Sequence, residues 1–292
     1  MSDLEPSPGA RLVVKKTYKL FVNGAFPRSE SGRTYPVHGP GGELLAHAAR
    51  ASRKDLRDAV TAARAAQSGW AAATAYNRGQ VLYRVAELLE ERRAEFVRAI
   101  VAAEGRRQSE AELDVAAAID RWVWYAGWSD KVAQVAGSAN PVAGPYFNFS
   151  VPEPTGVVGL VAPGDSSLLG LVSVLAPALT TGNAVVVLAS ESYPLPAVSL
   201  GEVLATSDVP KGVVNILTGS TAELAPVLAS HRDVDALDVV GASSALRVEL
   251  EQAASENIKR VVTKDESWAD EPSLTRLFGF IETKTVWHPI GR

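Results

Sequence analysis

The stretch Pro163-Gly164-Asp165-Ser166-Ser167 is the part of this chain best placed to do chemistry. It follows an apolar, β-like run from Val157 to Ala162. It precedes a second apolar run, Leu168 to Leu179, that is long enough for a helix. A turn from strand into helix is where α/β proteins present ligand-binding atoms. The side-chain groups on offer are two hydroxyls and a carboxylate, which accepts hydrogen bonds and cannot donate them. The 292 residues contain no cysteine. That excludes disulfides, thiolate metal sites and a thiol nucleophile together. His38, His47, His231 and His288 are scattered, with no i,i+4 pair, so no metal site is expected.

The rest of the chain must position that turn. Apolar residues make up 47% and charged residues 21%, a soluble globular composition, and the net charge of −4 lacks the basic excess of a nucleic-acid surface. No apolar run reaches the ~18–20 residues of a membrane span, and "MSDLEPSPGA" has no basic start or apolar stretch of a secretory signal. A cytoplasmic protein is expected. Asn23-Gly24 is a hairpin signal. Ser52 with Asp55 opens a helix over 53–69. An apolar stripe from Val81 to Val101 predicts one over 78–104, stopped at Gly105. Ser109 with Glu112 opens a third, reaching about Val135. Trp122, Trp124, Tyr125 and Trp128 crowd that third helix, where core packing is the expectation and a partner surface the alternative. From Gly156 onward, strands expected at 157–162, 184–189, 213–217, 236–240 and 259–263 alternate with helices, which predicts right-handed βαβ units in a parallel sheet.

This order of segments resembles the aldehyde dehydrogenase superfamily. "FVNGAF" looks like its opening hairpin, and "AVTAARAAQSGWAAATAYNRGQVLYRVAELLEERRAEF" and "AAIDRWVWYAGWSDK" are similar to its first three long helices. "PEPTGVVGLVAPGDSSLLGLVSVLAPALTTGNAVVVLASE" matches its first Rossmann βαβ unit, "VPKGVVNILTG" the next strand, and "FIETKTVWHPIG" its C-terminal oligomerisation strand. The resemblance implies an α/β fold: a Rossmann-like parallel sheet with N-terminal helices, plus small antiparallel oligomerisation strands. The expected divisions are a mobile arm at 1–17, an N-terminal helical part at 18–143 and an oligomerisation strand segment at 144–155. A Rossmann part at 156–263 follows, then a linker at 264–280 and a C-terminal oligomerisation strand at 281–292.

Two departures from the family carry the functional expectation. The family's catalytic domain, with its nucleophilic cysteine and a glutamate base, follows the fifth Rossmann strand. Here only the residues between Thr263 and Ser273 stand in that place, which reads as an internal deletion. Without a thiolate the family's thiohemiacetal cannot form. The family's Pro-Trp-Asn-Phe-Pro, whose Asn amide donates to the oxyanion, is matched by Pro163-Gly164-Asp165-Ser166-Ser167, where the Asp165 carboxylate would repel that charge. The same stretch is superficially similar to the Gly-Asp-Ser-Leu block of a hydrolase family, with Ser166 as nucleophile. The late Asp-x-x-His that block requires is missing before His288.

The cofactor site is expected to be vestigial. The family's Lys-Pro-Ala-Glu block reads Leu188-Ala189-Ser190-Glu191, and its Phe-Thr-Gly-Ser turn reads Val239-Val240-Gly241-Ala242. The positions that would touch a nucleotide are Ala162, Pro163, Asp165, Leu188, Glu191, Gly219, Gly241 and Ala242. No cofactor is expected, with NAD(P) as the alternative. In the family, protruding strands of one subunit extend the catalytic-domain sheet of a neighbour. This chain keeps the donor strands, with Tyr146, Phe147, Phe149, Val151, Thr283, Thr285, Val286 and Trp287 as interface residues, and lacks the acceptor sheet. Unpaired edges invite pairing elsewhere. The expectation is a catalytically inactive subunit that assembles with or regulates a full-length aldehyde dehydrogenase. The alternative is an NAD(P)-binding oxidoreductase of residual or unknown activity. Self-association is the other expected possibility, and neither nucleic acid nor membrane is an expected partner.

Overall fold

A computed structural model of the protein describes residues 14–263 and 266–291. The expected arm lies outside these residues as far as residue 13, while Thr17, expected to belong to it, is paired as strand with His47. β1 (Thr17–Tyr18), β2 (Thr34–His38) and β3 (Leu44–Ala49) form a small sheet in the order β1-β3-β2. Asn23 and Gly24 both take positive φ, 53° and 70°, and Val22 and Ala25 exchange 3.0 Å hydrogen bonds around them. No longer hairpin grows there, because Phe21 pairs with Ile216 instead.

α1 (Arg53–Ala72) starts at the expected capping box. The Ser52 hydroxyl accepts from the Asp55 N–H at 3.2 Å, and the Asp55 carboxylate accepts from the Ser52 N–H at 2.8 Å. The helix expected over 78–104 is two helices, α2 (Ala75–Glu91) and α3 (Arg93–Glu104), parted at Arg92. One non-helical residue leaves the apolar stripe in phase on both sides, so periodicity does not register the break. α3 ends at Gly105 with φ 69°, as its position predicts. α4 (Gln108–Trp128) starts at Arg107, whose N–H donates to the Glu110 carboxylate at 3.2 Å, not at Ser109 with Glu112, and the last turns expected of it form a separate α5 (Val132–Ala136). Trp122 and Tyr125 are buried, and Trp124 and Trp128 pack against the same core, as the core-packing reading expects.

The remaining elements are β4 (Ser138–Asn140), β5 (Tyr146–Pro154), β6 (Val157–Val161), α6 (Leu169–Thr180), β7 (Ala184–Leu188), α7 (Leu195–Thr206), β8 (Val214–Leu217) and α8 (Thr221–Ser230). After these come β9 (Ala236–Asp238), α9 (Ser244–Ser255), β10 (Arg260–Val262), α10 (Leu274–Gly279) and β11 (Ile281–Pro289). β6 to β10 lie within the five expected strands and form one parallel sheet, ordered β10-β9-β6-β7-β8. Val158, Leu160, Val185 and Val187 face a core built with α2, α4, α6 and α7. Val157, Val161, Val186 and Leu188 face a second core with α1, α8 and α9. Burial on both faces explains why the strands read as continuous apolar runs.

β4, β5 and β11 form a third, antiparallel sheet in the order β11-β5-β4, which takes in Ser138 to Asn140 as well as strands within the segments expected at 144–155 and 281–292. The expected linker is partly helical, through α10. Helix ends that meet here share a cation: Arg78 donates to the carbonyls of Ala71 (3.3 Å), Ala73 (2.5 Å) and Thr180 (3.4 Å), at the C-termini of α1 and α6. Trp70 joins the same two helices through a buried ring whose Nε1–H donates to Leu179 O at 3.0 Å. Trp70→Ala therefore removes a fully packed aromatic and one hydrogen bond. It is expected to lower unfolding free energy by about 3–5 kcal/mol in urea titration.

Candidate functional site

The chain lays β7 and β8 on one side of β6, and β9 and β10 on the other. Where the order reverses, the loops after β6 and β9 part and leave a crevice at the carboxyl ends of the strands. It holds about 580 Å³ and is lined by Pro163, Gly164, Asp165, Ser192, Val240, Gly241, Glu266 and Trp268. The turn after β6 is anchored from behind. Ser166 Oγ accepts from the Gly170 N–H at 2.8 Å and so caps the first turn of α6. The Ser167 N–H (3.2 Å) and hydroxyl both donate to Glu104 at the end of α3. Ser190 Oγ donates to Gly164 O at 3.1 Å. Ser166 is thus a buried cap, in keeping with its rejection as a nucleophile.

Of the eight expected nucleotide positions, Pro163, Asp165 and Gly241 come together in this crevice. An added Cβ on Gly241 would lie 2.0 Å from Ala162 O, so only glycine lets the two turns cross this closely. The other positions do not present their groups there. Leu188 and Ala162 are buried. Glu191 accepts from the Thr221 N–H at the start of α8 at 3.1 Å. Gly219, at φ 138°, sits beside Ala51. The N–H groups of Gly241 and Ala242 are already given to Val161 O (3.1 Å) and Val239 O (3.0 Å). Among the described lining residues two are carboxylates and none is cationic. That set fits the phosphates of a dinucleotide poorly.

The segment after β10 forms the outer wall, and of the residues that hold it the sequence singled out only Tyr125, and that for its place in the aromatic group. Arg121 on α4 donates to Trp268 O (2.6 Å), Asp270 O (2.5 Å) and Ser173 Oγ (2.6 Å). Tyr125 donates to Ser273 O at 3.1 Å, and burial pushes its hydroxyl up to about 12. Arg276 on α10 is buried. It donates to Asp238 at the end of β9 and to Glu266 at 3.3 Å, and stacks over the Trp268 ring at 5.5 Å. Burial lowers its guanidinium to about 10, which still leaves it charged at neutral pH. The one signal in the sequence was a pair of arginines inside apolar helical stretches, "AIDRWVW" and "LTRLFGF".

The expected interface residues do share one sheet. β5 and β11 pair antiparallel from Pro154↔Ile281 to Tyr146↔Pro289. Opposed residues share a face, so Phe147, Phe149, Val151 and Val286 lie on one side. Tyr146, Thr283, Thr285 and Trp287 lie on the other. Tyr146 and Trp287 meet edge-on at 5.7 Å, and the Ser150 and Thr285 hydroxyls are 2.9 Å apart.

Residues 26–264 match the family model described as "Aldehyde dehydrogenase family". The chain belongs to that family. It is 37% identical over 263 residues to retinal dehydrogenase 2 of Gallus gallus, covering 88% of this chain and 50% of that protein. It is 36% identical over 249 residues to the mitochondrial aldehyde dehydrogenase family 2 member B4 of Arabidopsis thaliana, covering 83% and 45%. Its fold is similar to that of a Bacillus cereus aldehyde dehydrogenase in an NAD+ complex, with a TM-score of 0.79 and 29% identity over 84% of this chain and 50% of that one. The chain thus spans about half the length of the relatives it matches, and its Rossmann-like sheet is the family's.

Within this aldehyde dehydrogenase fold, Glu104 is the titratable group that holds the crevice turn. Burial raises its carboxyl above the ordinary range, against the pull of its bonds from Ser167. A carboxyl raised in the folded state binds more protons there than in the unfolded chain, between the two values. Stability therefore falls as pH rises through that interval. Glu104→Gln keeps an acceptor for Ser167 and removes the titration. Its Tm relative to the parent is expected to rise with pH from about 4.5 upward, then level off. A relative Tm that falls with pH contradicts this account.

Proposed function

We propose that this chain is a non-catalytic subunit of the aldehyde dehydrogenase family that assembles with, or regulates, a full-length member. The observation that carries this reading is the edge of the third sheet. β11 has β5 on one side and, among the described residues, no strand on the other. Such an edge is a template for a strand from elsewhere. In the family, the acceptor for these strands is a neighbour's catalytic-domain sheet, which a full-length member carries. The lack of any cysteine and the Asp165 carboxylate at the oxyanion position support the non-catalytic part. So does the wall built from residues 266–280. The test is recovery of the tagged chain at native expression level, followed by mass spectrometry with stoichiometry. A full-length aldehyde dehydrogenase in near-integral ratio is expected. Recovery of the chain without one overturns the reading.

A second reading is an NAD(P)-binding oxidoreductase. What favours it is the NAD+ complex of a similar structure, whose fold this chain shares. NAD(P) would sit along Pro163, Asp165, Ser192 and Gly241, and when bound it would supply hydride-transfer chemistry. A ligand that binds only the folded chain must raise Tm at saturation. On the non-catalytic reading, saturating NAD+, NADH, NADP+ and NADPH leave Tm unchanged. A clear rise with any of them selects the second reading.

A further inference from the structure

The two long edges of the third sheet are not alike. In the pairing of β5 with β11, the Thr155 N–H donates to Phe280 O at 3.2 Å and the Ile290 N–H to Pro145 O at 2.8 Å. Those two pairs follow the strand register, so the even-numbered residues of β11 turn their backbone groups toward β5. The odd-numbered ones, Ile281, Thr283, Thr285 and Trp287, turn theirs outward. On β5 the outward positions beyond the end of β4 are Pro152 and Pro154, which have no N–H to offer and so block pairing there. On β11 the first such block is Pro289. Between these limits the edge is regular, and its outward residues are β-branched or aromatic, the types that favour strand. Trp287 is 58% exposed.

We propose that a second copy of this chain occupies the β11 edge, pairing β11 with β11 about a two-fold axis through Thr285. That register overlaps the whole of the strand, from Ile281 to Pro289. In it, Thr283 faces Trp287 of the second copy, Thr285 faces Thr285, and Ile281 faces Pro289. Every outward N–H from Ile281 to Trp287 then meets an outward carbonyl. On the other face, Glu282, which accepts from Arg260 at 2.8 Å, lies opposite His288, and Lys284, which donates to Glu153 at 2.9 Å, lies opposite Val286. No like charges are directly opposed. Centring the axis on residue 284 instead sets Lys284 against Lys284, and centring it on Thr283 leaves Trp287 to Pro289 with no strand opposite them. The pair makes one continuous six-stranded sheet, with Phe147, Phe149 and Val286 of both copies along one face. This does not rest on docking to a full-length dehydrogenase. It uses the same edge, so a self-paired chain must separate before it can dock.

The test is sedimentation equilibrium of the full chain across micromolar concentrations, with three variants. Thr285→Pro removes an outward N–H and leaves the backbone bonds to β5 in place, losing only the hydroxyl contact with Ser150. It is expected to raise the dimer dissociation constant by about tenfold or more. The chain has no cysteine of its own. Thr285→Cys therefore places one thiol per copy on the axis, with Cα atoms about 5.5 Å apart, within disulfide reach. Under mild oxidation with diamide it is expected to cross-link two copies, while Thr283→Cys, far from its own mate, is not. A wild-type chain that stays monomeric overturns the self-pairing and leaves docking to a dehydrogenase standing, with the edge free. A dimer that Thr285→Pro leaves unchanged, or that Thr285→Cys does not cross-link, is built on another surface and also overturns it.

Discussion

Five parallel strands with apolar side chains on both faces fold only if both faces are covered, and most of this structure answers that demand. α1, α8 and α9 close one face, and α2, α4, α6 and α7 the other. The covering helices are themselves locked at their ends, by Trp70 against Leu179 and by Arg78 across two C-termini. The demand is met entirely within the chain, although the chain has half the length of the relatives it matches. Two places remain where polar backbone or side chains need partners.

The first is the carboxyl end of the sheet. In this chain residues 266–280 fold back over it, held by a buried ion pair between Arg276 and Asp238 and by Arg121. Breaking a buried pair costs about 3–5 kcal/mol, because the partner is left charged and unpaired. The short connection is therefore part of the core and not a tether. It gives the crevice a wall of Trp268 and Glu266 and an acidic lining, where the phosphates of a dinucleotide call for donors. The second place is the β11 edge. No segment of the described chain folds back to cover it, and its outward backbone groups remain available to another polypeptide.

These two places explain why the Rossmann part and the assembly strands have separate fates. The sheet keeps its family shape because its hydrophobic faces still have to be buried, whatever happens at its carboxyl end. Gly241 persists for a packing reason that requires no ligand, since any Cβ there would strike Ala162 O. A retained glycine at a nucleotide position is thus weak evidence for a nucleotide. Among the described residues the third sheet keeps an unpaired edge on β11, while β5 is blunted by Pro152 and Pro154 on its other side.

From the sequence alone the class of fold, the five parallel strands, the capping box at Ser52, the stop at Gly105 and the missing thiolate were all legible. Each is written in local terms: an apolar run, a cap three residues from its partner, a glycine with positive φ, or the absence of a residue type. The break at Arg92 and the true start of α4 were not, because a one-residue interruption keeps the apolar stripe in phase and a charged side chain can cap where a serine was expected. The wall over the crevice was also invisible. Arg121, Tyr125, Asp238 and Arg276 are distant in sequence, and their meeting depends on how α4 and α10 pack on the sheet. Which N–H groups of β11 point outward was decided only by the register with β5. A shift of one residue would have turned the other set to the open edge, and nothing in the composition of the strand distinguishes the two.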